Sequence, residues 1–278
     1  MFCKLVIKVL LLLLIASQSY FLHAEDSLRF SIANRNSPAL PPYSWYNFCT
    51  NLQQGFNVEL YSRLAHDLGL TAAFIESAYA DTTTDMVAKS LSLLTERKAD
   101  LTIVHPIYTE NNTHFLLGKE PALSDNQVLI LAPDQPAITD LKELENLSGV
   151  GISVESIQSQ LKKTGVNVSL KKMATLEDAG NNLVAGTADY WITSKFVAHY
   201  LMEKPEYKNK LKLSNLKVGS FSYFYITASA DKENATTLIK KIDDLLASYQ
   251  QSGYIDFLKS SSVHSWIANR SCISAPKQ

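Results

Sequence analysis

The residues in this chain best suited to chemistry are aromatic. Tyr43, Trp45, Tyr46 and Phe48 crowd one short segment, and Cys49 follows them directly. Tyr108 and Trp191 lie far from this cluster in sequence. Aromatic faces hold flat, apolar or cationic groups, each good contact giving about 0.5–2 kcal/mol beyond burial. The same rings also fill ordinary cores, so both uses stand open for each. His105, Glu110 and His114 invite a metal reading. Their spacing matches no helical pair, and zinc requires three or four ligands with a supporting shell, so they are expected to be surface-loop residues and neither metal nor cofactor is assigned. Glu155, beside a helix start, would make a raised-pKa acid only in a closed cleft; a solvated first-turn glutamate is the expected use. The chain holds no nucleophile elbow, phosphate loop or paired-cysteine motif. No catalytic residue is assigned, and the chain is expected not to be an enzyme.

These residues sit in a chain able to position them. Its 278 residues are 46% hydrophobic and 19% charged, which excludes a disordered polymer. The 26 basic residues balance 27 acidic ones, so no basic field is available for nucleic acid or an anionic membrane. At the amino end, Lys4 and Lys8 accompany the apolar run Val9 to Ala16, and Ala24 follows as a small residue. That run is shorter than the roughly 20 residues a spanning helix needs. Residues 1–24 therefore read as a secretory signal peptide cut after Ala24, which predicts a periplasmic protein with no membrane insertion after cleavage. An uncleaved anchor is the alternative, weakened by the polar break Ser17-Gln18-Ser19.

Strand-like and helix-like segments then alternate. Leu28 to Ala33 reads as a strand, Gly55 to Leu68 as an amphipathic helix, Thr71 to Ile75 as a strand, Asp85 to Lys98 as a helix and Ala99 to Val104 as a buried strand. The order recurs: strand Gly149 to Ser153, helix Ser156 to Lys163, strand Val166 to Lys171, a helix after the N-cap Thr175, and strand Ala188 to Thr193. Asp100 and Asp189 occupy matching places, each between a helix end and a strand start, where a carboxylate caps backbone amides. Two α/β units follow. Gln127 to Leu131 and Phe221 to Ala228 are apolar strands placed where the chain would cross between them. A helix over Ala235 to Tyr249 and a second, short one after Gly253 complete the chain.

Ordered pieces of the sequence carry a resemblance. They are Pro41-Pro42-Tyr43-Ser44-Trp45, Gly55-Phe56-Asn57-Val58-Glu59-Leu60, Ala99-Asp100-Leu101 followed by Thr109, and Pro121. Leu141 to Leu144, Leu147-Ser148-Gly149-Val150-Gly151-Ile152, Ala185-Gly186-Thr187-Ala188-Asp189 and Gln251-Ser252-Gly253-Tyr254 follow. Together they resemble the family 3 periplasmic solute-binding proteins, best known for delivering polar amino acids to ABC importers. The resemblance implies an α/β, type II two-lobed fold with two hinge strands. Lobe 1 would be discontinuous, 25–128 and 224–278, and lobe 2 would be 129–223. The ligand-facing set it implies is Tyr43, Trp45, His105, Tyr108, Thr109, Asn112, Ser156, Trp191 and Ser194.

The departures from that family bear on the ligand. Its amino-acid binders clamp a carboxylate with an arginine three residues after the threonine; Asn112 stands there. An amide cannot replace a bidentate guanidinium. The turn before Thr109 reads His105-Pro106-Ile107-Tyr108, and Pro106 has no N–H to offer. The acid expected to hold an ammonium falls near Ser194, and the glycine expected at the helix start is Glu155. A standard free amino acid is therefore not the expected ligand. The resemblance implies a monomer that hands a small organic ligand to a membrane ABC permease. A separate signalling receptor as partner, or a periplasmic enzyme similar to cyclohexadienyl dehydratase, are the alternatives. Cys49 and Cys272 would remain after signal cleavage in an oxidising compartment. The implied topology returns the tail to the lobe carrying Cys49, so a bridge is expected, with two separately buried thiols as the alternative.

Overall fold

The computed structural model describes residues 27–37, 42–81, 83–109, 112–152, 154–219 and 222–273, so the signal-peptide segment lies outside the described residues. Strand β1 (Ser27–Ile32) leads to a small hairpin of β2 (Trp45–Asn47) and β3 (Leu52–Gln54). Helix α1 (Phe56–Asp67), β4 (Thr71–Glu76), α2 (Thr83–Thr95) and β5 (Leu101–Val104) follow. A long strand β6 (Phe115–Asp125) and β7 (Gln127–Leu131) are separated only by Asn126. Next come β8 (Gly149–Gly151), α3 (Val154–Lys163), β9 (Leu170–Lys172), α4 (Leu176–Val184) and β10 (Tyr190–Ser194). Helix α5 (Lys195–Glu203), β11 (Lys212–Leu213), β12 (Ser222–Ser229), α6 (Ala235–Gln251) and α7 (Tyr254–Asn269) complete the fold.

The strands form two five-stranded sheets, ordered β4-β1-β5-β12-β6 and β11-β7-β10-β8-β9. In each, parallel pairs joined through helices make one half, β1 with β4 and β5, and β8 with β9 and β10. Antiparallel strands from the crossings complete the other half. The chain leaves the first sheet at Asp125 and enters the second at Gln127; it leaves β11 at Leu213 and re-enters the first sheet at Ser222. The strands expected at the crossings, β7 and β12, thus begin where each crossing ends.

The two matching aspartates do the same work in each sheet. Asp100 Oδ2 accepts the amide of Arg29 at 2.9 Å, and Asp189 Oδ2 accepts the amide of Ser148 at 2.7 Å. Each carboxylate ties the start of its own strand to the start of the neighbouring one. Asp100 also receives the Arg29 guanidinium at 2.9 Å and the Lys232 ammonium at 2.6 Å.

Phe30, Leu60, Leu64, Leu101 and Ile242 centre the core of the first lobe. The second lobe has cores on the two faces of its sheet, around Trp191 and Tyr200 and around Leu129 and Tyr190. The last helix departs from expectation. It is not short: α7 runs sixteen residues, with Ile255 and Leu258 in the first core and Trp266 in the second. Trp266 stands edge-on to Trp45 at 5.2 Å and to Tyr200 at 5.0 Å. Beyond α7, Cys272 is bridged to Cys49 across 223 residues, and the Phe48 amide donates to the Cys272 carbonyl at 2.7 Å. Among the described residues no helix is long and apolar enough to cross a membrane.

Candidate functional site

A cavity of about 250 Å³ lies between the two sheets. It opens where parallel strands end at their carboxyl termini, the place where α/β sheets hold ligands. From the first lobe, β5 delivers Ile103 and Val104, and the 3-10 turn after it delivers its cap His105 together with Ile107 and Tyr108. From the second, β10 delivers Trp191 to Ser194, while Ile152 and Ile157 flank the start of α3. Leu123 of β6, Phe224 of β12 and Gln127 of β7 close the hinge side.

Tyr43 enters from the segment before β2 because Gly55 lets the chain fold back under it. Gly55 has φ +112°, and a Cβ there would lie 2.7 Å from the Tyr43 carbonyl oxygen and 2.8 Å from the Trp45 ring. The turn sets the amides of Phe56 and Asn57 on the carbonyls of Pro42 and Tyr43, at 3.1 and 2.9 Å. The Tyr43 ring meets Phe196 edge-on at 5.2 Å, and its hydroxyl lies 2.8 Å from Ser194 Oγ. That contact joins the lobes. Ser194 Oγ also accepts the amide of Val197 at 3.1 Å, and Asp125 accepts the amide of Phe196 at 3.0 Å, so the two residues together cap α5.

Burial sets the protonation of this group. Desolvation, with the nearby Asp125 charge, pushes the Tyr43 phenol far above its ordinary range, so it stays a neutral donor. Desolvation also raises the Asp125 carboxyl, only partly opposed by the hydrogen bonds from Phe196 and Ser194. His105 is lowered by burial and is neutral at pH 7. Its Nδ1 accepts the amide of Ile107 at 3.3 Å.

Of the residues expected at the site, Tyr43, His105, Tyr108, Trp191 and Ser194 line this cavity. Trp191 is fully buried in the second core and forms the wall from behind. Trp45 is a correction. It is 2% exposed, lines no part of the cavity, and packs on Trp266 with its indole N–H donated to Gln54 at 3.2 Å. The hairpin points it at α7. Asn112 is a second correction: it is exposed, away from the cavity, and its side-chain oxygen accepts the amide of His114 at 3.0 Å. Thr109 turns its hydroxyl back to the Pro106 carbonyl at 3.1 Å and lines a neighbouring groove instead. Ser156 lies in α3, and its side chain is outside the described residues. So is Glu110. Glu155 is 72% exposed on its side chain and paired with Lys172 at 3.0 Å.

Sequence reading missed most of the aliphatic lining, together with Asn57, Gln127, Thr193 and Phe224. Gln127 donates from Nε2 to Gln160 Oε1 at 2.8 Å, bracing the hinge against α3. A signal was present for Thr193 and Val197, since both flank Ser194 at a strand-to-helix junction.

No protein-family model matches the chain, and no curated protein matches it in sequence. Solved structures do match its fold. The arginine 3rd transport system periplasmic binding protein from Legionella pneumophila superposes with TM-score 0.63 at 21% identity, covering 85% of this chain and 99% of that one. The GluR0 ligand binding core in complex with L-glutamate gives TM-score 0.64 at 10% identity, covering 87% of this chain and 100% of that one. The VFT2 domain of BvgS from Bordetella pertussis gives TM-score 0.64 at 15% identity, covering 86% and 93%. At these identities the likeness is one of fold: the chain has the two-lobed, type II periplasmic-binding-protein architecture.

Proposed function

We propose that this is a secreted solute-binding protein of the family 3 kind, whose lobes close on a small organic ligand other than a standard free amino acid. The ligand would pass to a membrane ABC permease. The observation that carries this is the cavity between the sheets, walled from both lobes at strand carboxyl ends. The fold match to binding proteins supports it. Lobe 1 is taken as 25–128 with 224–278, lobe 2 as 129–223, and residues 1–24 as the export signal. The amino-acid exclusion rests on two positions. Asn112 lies away from the cavity, and Ser194 is engaged as a helix cap, so neither charge partner of an amino acid is supplied. A non-enzymatic role fits the lining, in which His105 is the one imidazole and no carboxylate, lysine or cysteine stands among its described residues.

A thermal-shift screen of a broad metabolite library, with scattering on each hit, tests the reading. A true ligand at 100 times its Kd adds about 2.7 kcal/mol to stability and shrinks the radius of gyration. Glutamine, arginine and glutamate should give no micromolar affinity by calorimetry; micromolar binding of any one overturns the exclusion. Amino-terminal sequencing of exported protein should begin at Glu25.

A further inference from the structure

Every described side chain lining the cavity is uncharged at neutral pH. Asp, Glu, Lys and Arg are all missing from its described lining, and the one histidine is held neutral by burial. A ligand anion would need either a cationic side chain or free backbone amides. The first is not supplied. Among the nearby amides, those of Phe56 and Asn57 are engaged by the Pro42 and Tyr43 carbonyls, those of Ile107 and Tyr108 by His105, and those of Phe196 and Val197 by Asp125 and Ser194. A ligand cation would need a carboxylate. Asp125 is 7% exposed, lies behind Ser194 and Tyr43, and does not line the cavity. Lys163 stands outside, on an adjoining groove shared with His105 and Ile107.

Aromatic and hydrogen-bonding groups take the place of charges. Tyr43, Tyr108 and Phe224 present rings, while Thr193, Tyr108 and His105 offer polar atoms. The volume of about 250 Å³ corresponds to roughly eight waters, the space of a one- or two-ring molecule.

We infer that this cleft selects an uncharged, mostly apolar organic molecule that carries a ring and one or two hydrogen-bonding groups, a conclusion resting on the solute-binding reading above. An ion entering this cleft loses its water and gains no opposite charge, so a charged analogue of a good ligand binds at least about a hundredfold more weakly.

The test uses the exported chain with its disulfide intact and four probes sharing one ring system: indole, tryptamine, indole-3-acetate and tryptophan. The metabolite library is run beside them and sorted by charge. Ile107→Trp serves as the plugged control, because Ile107 is 44% exposed yet lines the cavity, so a larger ring fills the cleft without entering a core; circular dichroism checks its fold. The expected result is binding of indole, or of uncharged ring compounds from the library, at least about a hundredfold tighter than their ionised counterparts. That binding should be lost in Ile107→Trp. Plug-sensitive hits that are mainly ammonium or carboxylate compounds overturn the ligand class and leave the solute-binding reading standing. No plug-sensitive hit of either kind overturns both.

Discussion

Tyr43 reaches the opposite lobe with its ring, edge-on to Phe196, and with its hydroxyl, on Ser194, and the hydroxyl is where residue chemistry becomes lobe geometry. Tyr43→Phe keeps the ring against Phe196 and removes the bond to Ser194. It should cost about 1 kcal/mol in urea unfolding and give a larger radius of gyration in ligand-free scattering. Behind it, Asp125 couples the same contact to pH. Its folded pKa is raised, so the folded chain holds a proton there that the unfolded chain releases. The resulting stabilisation is fully present below about pH 4 and is lost as pH rises through the raised value. Asp125→Asn keeps an oxygen for the Phe196 amide and removes the titration. The stability advantage of parent over variant, read as the difference in urea midpoints, should therefore shrink between pH 4 and 7. Asp100 has the opposite sign. Burial alone would raise it, but hydrogen bonds from Arg29 and Lys232 outweigh burial and lower it, so its stabilisation is present above about pH 4 and lost in acid. Site legibility at this scale was mixed for a physical reason. Residue type marks a ring as able to line a cleft, yet the Gly55 turn aims Tyr43 into it while the hairpin turns Trp45 away. That direction depends on α7, more than 200 residues away, against which Trp45 packs.

Among elements, the strands and helices of the repeated units were readable because each carries one clear stripe or a short apolar run. Strand β7 falls at Gln127–Leu131, where it was read. Strand β9 begins at Leu170 rather than Val166, because the turn at Gly165, φ +82°, draws the Val166 amide back to the Leu161 carbonyl at 3.0 Å. Strand β6 was missed. Gly118, charged residues and Pro121 interrupt its pattern, and it tolerates them as the edge strand of its sheet, with register shifts against β12. Helix α5 was missed because no loop announces it: Ser194 ends β10 and caps the helix at once. Helix α7 was read as short because Ser260, Ser261 and Ser262 dilute its stripe, although Ser262 is fully buried within it. The junction of β3 and α1 gives the prediction at this scale. Gly55→Ala places a Cβ against the Tyr43 carbonyl at a backbone angle that side chains rarely adopt. It should destabilise the protein by about 2 kcal/mol or more in urea and weaken ligand binding as well, since the same turn aims Tyr43.

For the whole molecule, the two-sheet plan followed from the order of the segments, whereas the way the lobes hold each other did not. Phe196 of the second lobe packs in the first core, and Trp266 at the far end of α7 packs in the second. Both contacts join residues remote in sequence, which local periodicity cannot report. Lobe motion therefore works against these apolar contacts and the Tyr43–Ser194 hydrogen bond besides the two chain crossings. The Cys49–Cys272 bridge adds something of a different order. Nearly the whole fold lies inside the loop it closes. Under tension applied at the two ends of the chain, load runs from β1 to Cys49, through the sulfurs and out at Cys272, so both crossings and all of the second lobe are shielded from force. In single-molecule stretching, the oxidised protein should lengthen by no more than about 80 Å from residues 27–49, as β1 is peeled from between β4 and β5. With reductant the load path passes through every strand, and the extension should approach about 800 Å in successive steps. A long extension without reductant would show that the shunt is not there. Such a protein would be mechanically a short leash on a sealed ring, yielding only in the segment ahead of Cys49.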